Sequence, residues 1–171
     1  MSLKRIYHQG LARLAGRIPA LSERLVAAYH PHEETTVPWC PVHKPLERSK
    51  IALVTTAGLH HRGQRPFDML DPRGDPTFRL IDGGTIAKDY AITHDYFDHR
   101  DADRDLNIVF PVTRLEEMLA AKVIGGLSER HFAFMGHITG DHVERLTEEF
   151  APQVAAMALQ DEVDAVLLTP A

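Results

Sequence analysis

Apolar positions recur at helical spacing over residues 3–29, where Leu3, Ile6, Leu11, Leu14, Ile18, Leu21 and Leu25 fall on one stripe and Lys4, Arg5, Arg13, Arg17 and Arg24 outnumber the single acid Glu23. The pattern predicts two amphipathic helices divided at Pro19, whose ring fixes φ and removes an amide donor. Such a basic arm covers its own domain or a partner. Residues 30–49 then turn polar, and Pro31, Pro38, Pro41 and Pro45 suppress regular structure, so this stretch reads as a linker.

From residue 50 the period changes. Lys50–Thr56 is a bounded, β-branched run expected of a central strand, Phe78–Ile81 and Tyr90–Ile92 are short strand candidates, and Asn107–Pro111, His131–Met135 and Asp164–Ala171 complete the strand set. The last is read as a buried strand that stops as it reaches its carboxyl end. Helical patterns run from Thr113 to Lys122 and from Asp141 to about Gln160, each opened by a capping-box spacing, Thr113 with Glu116 and Asp141 with Glu144. Between Ala57 and Pro76 lie three glycines and three prolines, an irregular connection of a length that usually carries function. Helix-length spacers between strands favour parallel crossovers. The expected fold is α/β: a three-layer, mostly parallel sheet with helices on both faces, residues 49–171, preceded by a helical arm and proline-rich linker at 1–48.

Composition narrows the class. The 171 residues, 44% hydrophobic and 25% charged, suffice for one substantial core. A formal charge of −5 gives no global attraction to nucleic acid, and no apolar run approaches the roughly 20 residues of a membrane-spanning helix. One cysteine, Cys40, excludes an internal disulfide framework and suits a reducing compartment, so a cytoplasmic protein is expected. Eleven histidines make histidine the notable chemical resource.

Two loops concentrate candidate chemistry. The first, Thr55-Thr56-Ala57-Gly58-Leu59-His60-His61-Arg62-Gly63-Gln64, follows the first strand, where small residues let backbone amides face a ligand and imidazole exchanges protons near neutral pH. It lacks the glycine spacing of a phosphate loop. The second runs from His94 to Asn107. Its Asp101, Asp103 and Asp105 resemble the opening of a calcium loop, but Leu106 stands where glycine is needed and Val112 where a bidentate glutamate is needed, so an EF-hand is rejected. Histidine and carboxylate together suit a divalent metal, which leaves open a metal-dependent hydrolase or lyase using His60, His61, His94 and nearby carboxylates. Cys40-Pro41-Val42-His43 is at most half a zinc site. No Gly-x-Ser-x-Gly elbow occurs. A noncatalytic assembly module, docking through residues 3–29, is the other alternative.

Taken in order, the segments 49–60, Gly74-Asp75-Pro76-Thr77-Phe78-Arg79, Asp103–Pro111, His131–Gly136 and Asp164–Pro170 resemble the selenoprotein B family, the selenocysteine-containing substrate subunits of glycine, sarcosine and betaine reductases and of D-proline reductase. The resemblance covers about residues 45–171. It implies a subunit that reductively cleaves a carbon–nitrogen bond, with thiols as the electron source. It also implies a selenocysteine immediately after Ala171, encoded by a codon otherwise read as stop, so that the chain as given does not turn over substrate. No bound cofactor is expected. The implied partners are a pyruvoyl-bearing subunit, a thiol or selenol carrier protein and further copies of the chain itself. By position, His60, His94, His99, Asp105 and His131 are the candidates for proton handling, and Thr55, Thr56, Gly58, Asn107 and Thr169 for substrate binding.

Overall fold

The computed structural model describes residues 3–15, 17–27, 40–83 and 89–171. They form two compact units, one of residues 1–43 with 95–98 and one of residues 44–94 with 99–171. In the first, α1 (Leu3–Ala15) and α2 (Pro19–Ala27) realise the two predicted helices, with Pro19 as the first residue of α2, where its missing amide costs no intrahelical bond. Gln9 donates to the buried Asp95 carboxylate at 2.7 Å, and the His8 and Tyr96 rings lie 4.8 Å apart. Of the proline-rich stretch, residues 28–39 lie outside the described residues. The described part ends in a short 3-10 turn at Leu46–Arg48.

The second unit is α/β, built on a mixed five-stranded sheet. β1 (Lys50–Thr55) is its axis. On one side β1 pairs in parallel with β5 (Gly126–Leu127) near its start and with β6 (Arg130–Ala133) near its end, and β6 pairs antiparallel with β3 (Arg79–Asp82). On its other side lies β7 (Ala165–Thr169), parallel and in register from Ile51↔Ala165 to Thr55↔Thr169. A separate antiparallel ribbon joins β2 (Leu59–His61) to β4 (Tyr90–Ile92). Strand alternation sends Val54, Leu80 and Phe132 to the face covered by α5 (Ala151–Gln160) through Val154 and Ala158. Leu53, Ile81 and His131 point the other way, where the buried Phe110 ring stands edge-on to His131 at 5.6 Å.

Several sequence expectations need correction. Asn107–Pro111 is not a strand: Leu106–Ile108 is a 3-10 turn, because the Asp105 carboxylate accepts the Asn107 amide and closes a local turn that competes with extended backbone. Neither capping box forms. α3 (Val112–Ala120) begins after Pro111 with no side-chain cap, and the Thr113 hydroxyl donates to the Asn107 side chain instead. α4 (Asp141–Arg145) follows Gly140, and Asp141 pairs with Arg73 at 3.1 Å. The helical run 141–160 is continuous but widens into a π turn at Leu146–Phe150, with the Ala151 amide reaching back to Leu146. Pro152 follows directly and cannot donate to a carbonyl one turn back. The final strand is not buried: β7 is an edge strand, with Val166 and Leu167 about 40% exposed and Leu168 68% exposed. Finally, β2 and β5 occur where no strand is predicted. No helix among the described residues is long and apolar enough to cross a membrane.

Candidate functional site at the strand carboxyl ends

Parallel strands β1, β6 and β7 point their carboxyl ends to one place, and the chain there is tied by backbone groups. The Thr56 amide donates to the Thr169 carbonyl at 3.2 Å, and the Ala171 amide returns a bond to the Thr56 hydroxyl at 3.0 Å. Gly136, just past β6, packs into the same junction. A Cβ there would lie 2.8 Å from the Ala171 carbonyl oxygen and 3.3 Å from both the Thr56 carbonyl and His94 Nε2. The position is therefore a close backbone approach that glycine permits.

His94 is buried and its Nε2 accepts the Gly136 amide at 3.1 Å. In the neutral ring the proton then resides on Nδ1. Beneath the junction, the hydroxyls of Thr55 and Thr169 both donate to the Val109 carbonyl, at 2.8 and 2.7 Å. Gly58, at φ +70, brings the loop after β1 against the His94 segment: its amide donates to Phe134 and its carbonyl accepts from Thr93. A Cβ there would meet the Thr93 carbonyl at 2.5 Å.

The structure thus gathers five of the ten sequence candidates, Thr55, Thr56, Gly58, His94 and Thr169, around one strand end. His60 is adjacent but occupied, with Nδ1 on the His61 carbonyl at 2.8 Å and Nε2 on the Thr93 hydroxyl at 2.9 Å. Asp105 and Asn107 belong to the turn leading to Val109. Hydrogen bonds from Asn107 hold the Asp105 carboxyl below its ordinary range, and Asn107 in turn accepts from Thr113. His99 pairs with Asp103 at 2.8 Å on the helical turn before it. Asp103 also lines a cavity of about 650 Å³ with Leu59, Tyr90, Ile92, Arg62 and Arg104.

His131 lies elsewhere, at the start of β6. Its Nδ1 accepts the Leu53 amide at 3.1 Å, filling a ladder position in the gap where β5 passes into β6. Burial lowers its pKa to about 4, so the ring is neutral. Among the described residues, no group of three or more His, Cys, Asp or Glu side chains could hold a metal ion.

Sequence reasoning gave no site role to Val109 or to Gly136. The first acts through a main-chain carbonyl, which leaves no mark on residue type. The second carried a signal, a glycine directly after a strand. Gly74-Asp75-Pro76-Thr77-Phe78-Arg79 also acquires a role, packing against the segment after β6. Gly74, at φ +89, lies so close to His137 that a Cβ would overlap its carbonyl. The Asp75 amide reaches Met135 Sδ, and its carboxylate accepts from the Asp68 and Thr77 amides and from Arg79. Burial pushes the Asp75 carboxyl up, but hydrogen bonds from Thr77 and Asp68 and the Arg79 charge outweigh it and leave it lowered.

Comparison with known proteins places these features. Residues 22–171 match the glycine/sarcosine/betaine reductase selenoprotein B (GRDB) family, a match that begins within α2, well before residue 45. The chain is 34% identical over 131 residues to D-proline reductase subunit gamma of Acetoanaerobium sticklandii, covering 77% of this chain and 52% of that protein. It is 30% identical over 137 residues to the glycine reductase complex component B subunit gamma of Symbiobacterium thermophilum and, equally, to that of Carboxydothermus hydrogenoformans, covering 78% of this chain and 31% and 30% of those proteins. The chain therefore spans about half the length of the first relative and about a third of the others. No solved structure matches. With most of its length matched, including every strand of the sheet, the chain belongs to the glycine/sarcosine/betaine reductase selenoprotein B family.

Proposed function

We propose that the chain serves as the substrate-site subunit of a reductase that cleaves the carbon–nitrogen bond of glycine, sarcosine, betaine, D-proline or a related amine. The observation carrying this reading is the convergence of Thr56, Gly136, His94 and Ala171 at the carboxyl ends of β1, β6 and β7, the position at which open α/β sheets carry their ligands. The reading includes a three-layer, mostly parallel sheet with helices on both faces and a cytoplasmic setting.

Reductive cleavage consumes two electrons and two protons, with a dithiol passing to a disulfide as the bond breaks. This sequence holds one cysteine, Cys40, exposed in the linker, and no selenocysteine. The selenol nucleophile and the electron-carrying thiols are therefore supplied from outside these 171 residues, and the chain alone is inactive. A selenolate is the stronger nucleophile at neutral pH, because an ordinary cysteine thiol is largely protonated there. Within the chain, His94 is the group placed to take up or release a proton at the strand ends, once Nε2 is freed from the Gly136 amide. Partners in this reading are a pyruvoyl-bearing subunit that activates the amine, a thiol or selenol carrier, and a second copy of the chain.

The test is a cleavage assay on the complex assembled from this chain, a pyruvoyl-bearing subunit and a selenol carrier protein, with dithiothreitol as reductant and each of the four amines offered separately. Formation of the deaminated or ring-opened acid from one of them is the expected result. An assembled complex that leaves all four intact overturns the reading.

A further inference from the structure

α1 turns polar side chains inward and an apolar stripe outward. His8 and Gln9 face the segment Asp95–Asp98 of their own unit, the His8 ring 4.8 Å from that of Tyr96 and the Gln9 side-chain amide donating to the Asp95 carboxylate at 2.7 Å. On the other side Ile6 and Tyr7, then Gly10, then Leu14 follow one another at three- or four-residue spacing. Ile6 and Leu14 are each 49% exposed and Tyr7 is 65% exposed. A helix that only covers its own domain buries such a stripe. An added Cβ on Gly10 would have nothing within 4 Å, so the middle of the stripe is open.

The charges around the stripe are of one sign. Arg13 flanks it, Arg17 follows α1 and Arg24 lies on α2, all three exposed, and α1 contains no acidic residue. Residues 1–29 hold five cations and one carboxylate, and since the whole chain carries −5, residues 30–171 carry −9. An anionic surface therefore attracts the arm and repels the remainder. The family match begins at residue 22, so α1 lies outside the region shared with the reductase subunits. At 13 residues α1 is about 20 Å long, too short to cross a bilayer but long enough to lie on one.

We propose that α1 is a docking surface for an anionic lipid bilayer, lying in the headgroup plane with Ile6, Tyr7 and Leu14 toward the acyl chains and Arg13 and Arg17 against the phosphates. Lipid answers both features at once: a fluid apolar layer needs no matched packing around Gly10, and the headgroups supply the missing negative charge. The surface is independent of the reductase reading, since neither the strand-end junction nor any nucleophile enters the argument.

The test is sedimentation of the full chain with vesicles of phosphatidylcholine alone and of phosphatidylcholine mixed with phosphatidylglycerol. Binding to the mixed vesicles that weakens with added salt, and little binding to the neutral ones, is the expected result. Arg13→Gln should weaken binding about fivefold, the scale of one cation near an anionic surface. Leu14→Asp, at a half-exposed position, should abolish it while leaving the urea midpoint in place. Gly10→Leu separates lipid from a protein partner. A leucine in open space adds apolar surface and should strengthen vesicle binding, whereas it would obstruct a helix packed closely over the glycine. Mixed vesicles that leave the parent in solution overturn the proposal, as does binding unchanged in Leu14→Asp or weakened in Gly10→Leu. Self-association of the parent that Leu14→Asp abolishes, without sedimentation, overturns it too and assigns the stripe to a second copy.

Discussion

Thr55 on β1 and Thr169 on β7, opposite one another in register, donate their hydroxyls to a single carbonyl oxygen, that of the buried Val109. The shared acceptor ties the turn at Leu106–Ile108 to two strand ends at once. Thr55→Val and Thr169→Val keep the shape and remove one donor each, while the other still satisfies the carbonyl, so Thr169→Val should cost about 1 kcal/mol in urea unfolding and Thr55→Val more, because the buried Ala57 amide also donates to the Thr55 hydroxyl. The double variant leaves a buried acceptor without a described partner. Its cost should exceed the sum of the singles by about 1 kcal/mol, a non-additivity that a double-mutant cycle reads directly. Strict additivity would mean that the carbonyl finds another donor.

Gly136 makes a sharper local prediction. In Gly136→Ala the new methyl meets the carbonyl oxygens of Ala171 and Thr56 and the His94 ring nitrogen. Overpacking of this kind costs about 1–3 kcal/mol. The strain should fall on the junction, so the Ala171 amide, held by Thr56 at 3.0 Å, should exchange with deuterium faster than in the parent. Gly63→Ala, where nothing lies within 4 Å of the added methyl, is the control and should leave that amide unchanged.

The contrast between these two glycines shows what the sequence makes legible. The strand Lys50–Thr55 is readable because six residues of β-branched and apolar character are bounded by polar ones, and its core neighbours at His131–Met135 follow the same rule. From such strands the positions of Thr55, Thr56 and Thr169 at carboxyl ends follow directly. Asn107–Pro111 fails because Ile108, Val109 and Phe110 carry strand propensity while the preceding Asp105 diverts the backbone through a side-chain hydrogen bond, a local effect that hydrophobic pattern does not encode. The edge position of β7 is equally hidden: Val166, Leu167 and Leu168 look like core residues, but burial depends on neighbours rather than on residue type.

His131 links burial to pH. Its pKa is about 4 in the folded chain, against an ordinary value near 6.5, so the unfolded state binds the extra proton first as pH falls. Stability from this residue is complete above about pH 6.5 and is lost progressively down to about pH 4. The shift corresponds to at most about 3 kcal/mol. Urea unfolding of the parent at pH 7, 5.5 and 4.5 should show that decline. His131→Leu should be weaker at pH 7, having lost the acceptor for the Leu53 amide, and should decline less with acid. Parallel pH profiles for the two proteins would place the titrating group elsewhere.

The open edge of β7 bears on assembly. Among the described residues β7 pairs only with β1, and its outer side presents Val166, Leu167 and Leu168 with the 76% exposed Leu159 of α5 nearby in sequence. An exposed apolar edge strand is a template for pairing with another chain, whether a second copy or a partner subunit. A charge on such a strand discourages pairing without disturbing its bonds to β1. Leu168, 68% exposed, is the position where a lysine costs least in the folded monomer. Light scattering should show a mass above that of the monomer, rising with concentration, for the parent. Leu168→Lys should shift that distribution toward the monomer while leaving the urea midpoint of the dilute protein within about 0.5 kcal/mol of its parent, as for other surface substitutions. A monodisperse monomer at every concentration would remove self-association through β7 and leave its edge to a different polypeptide.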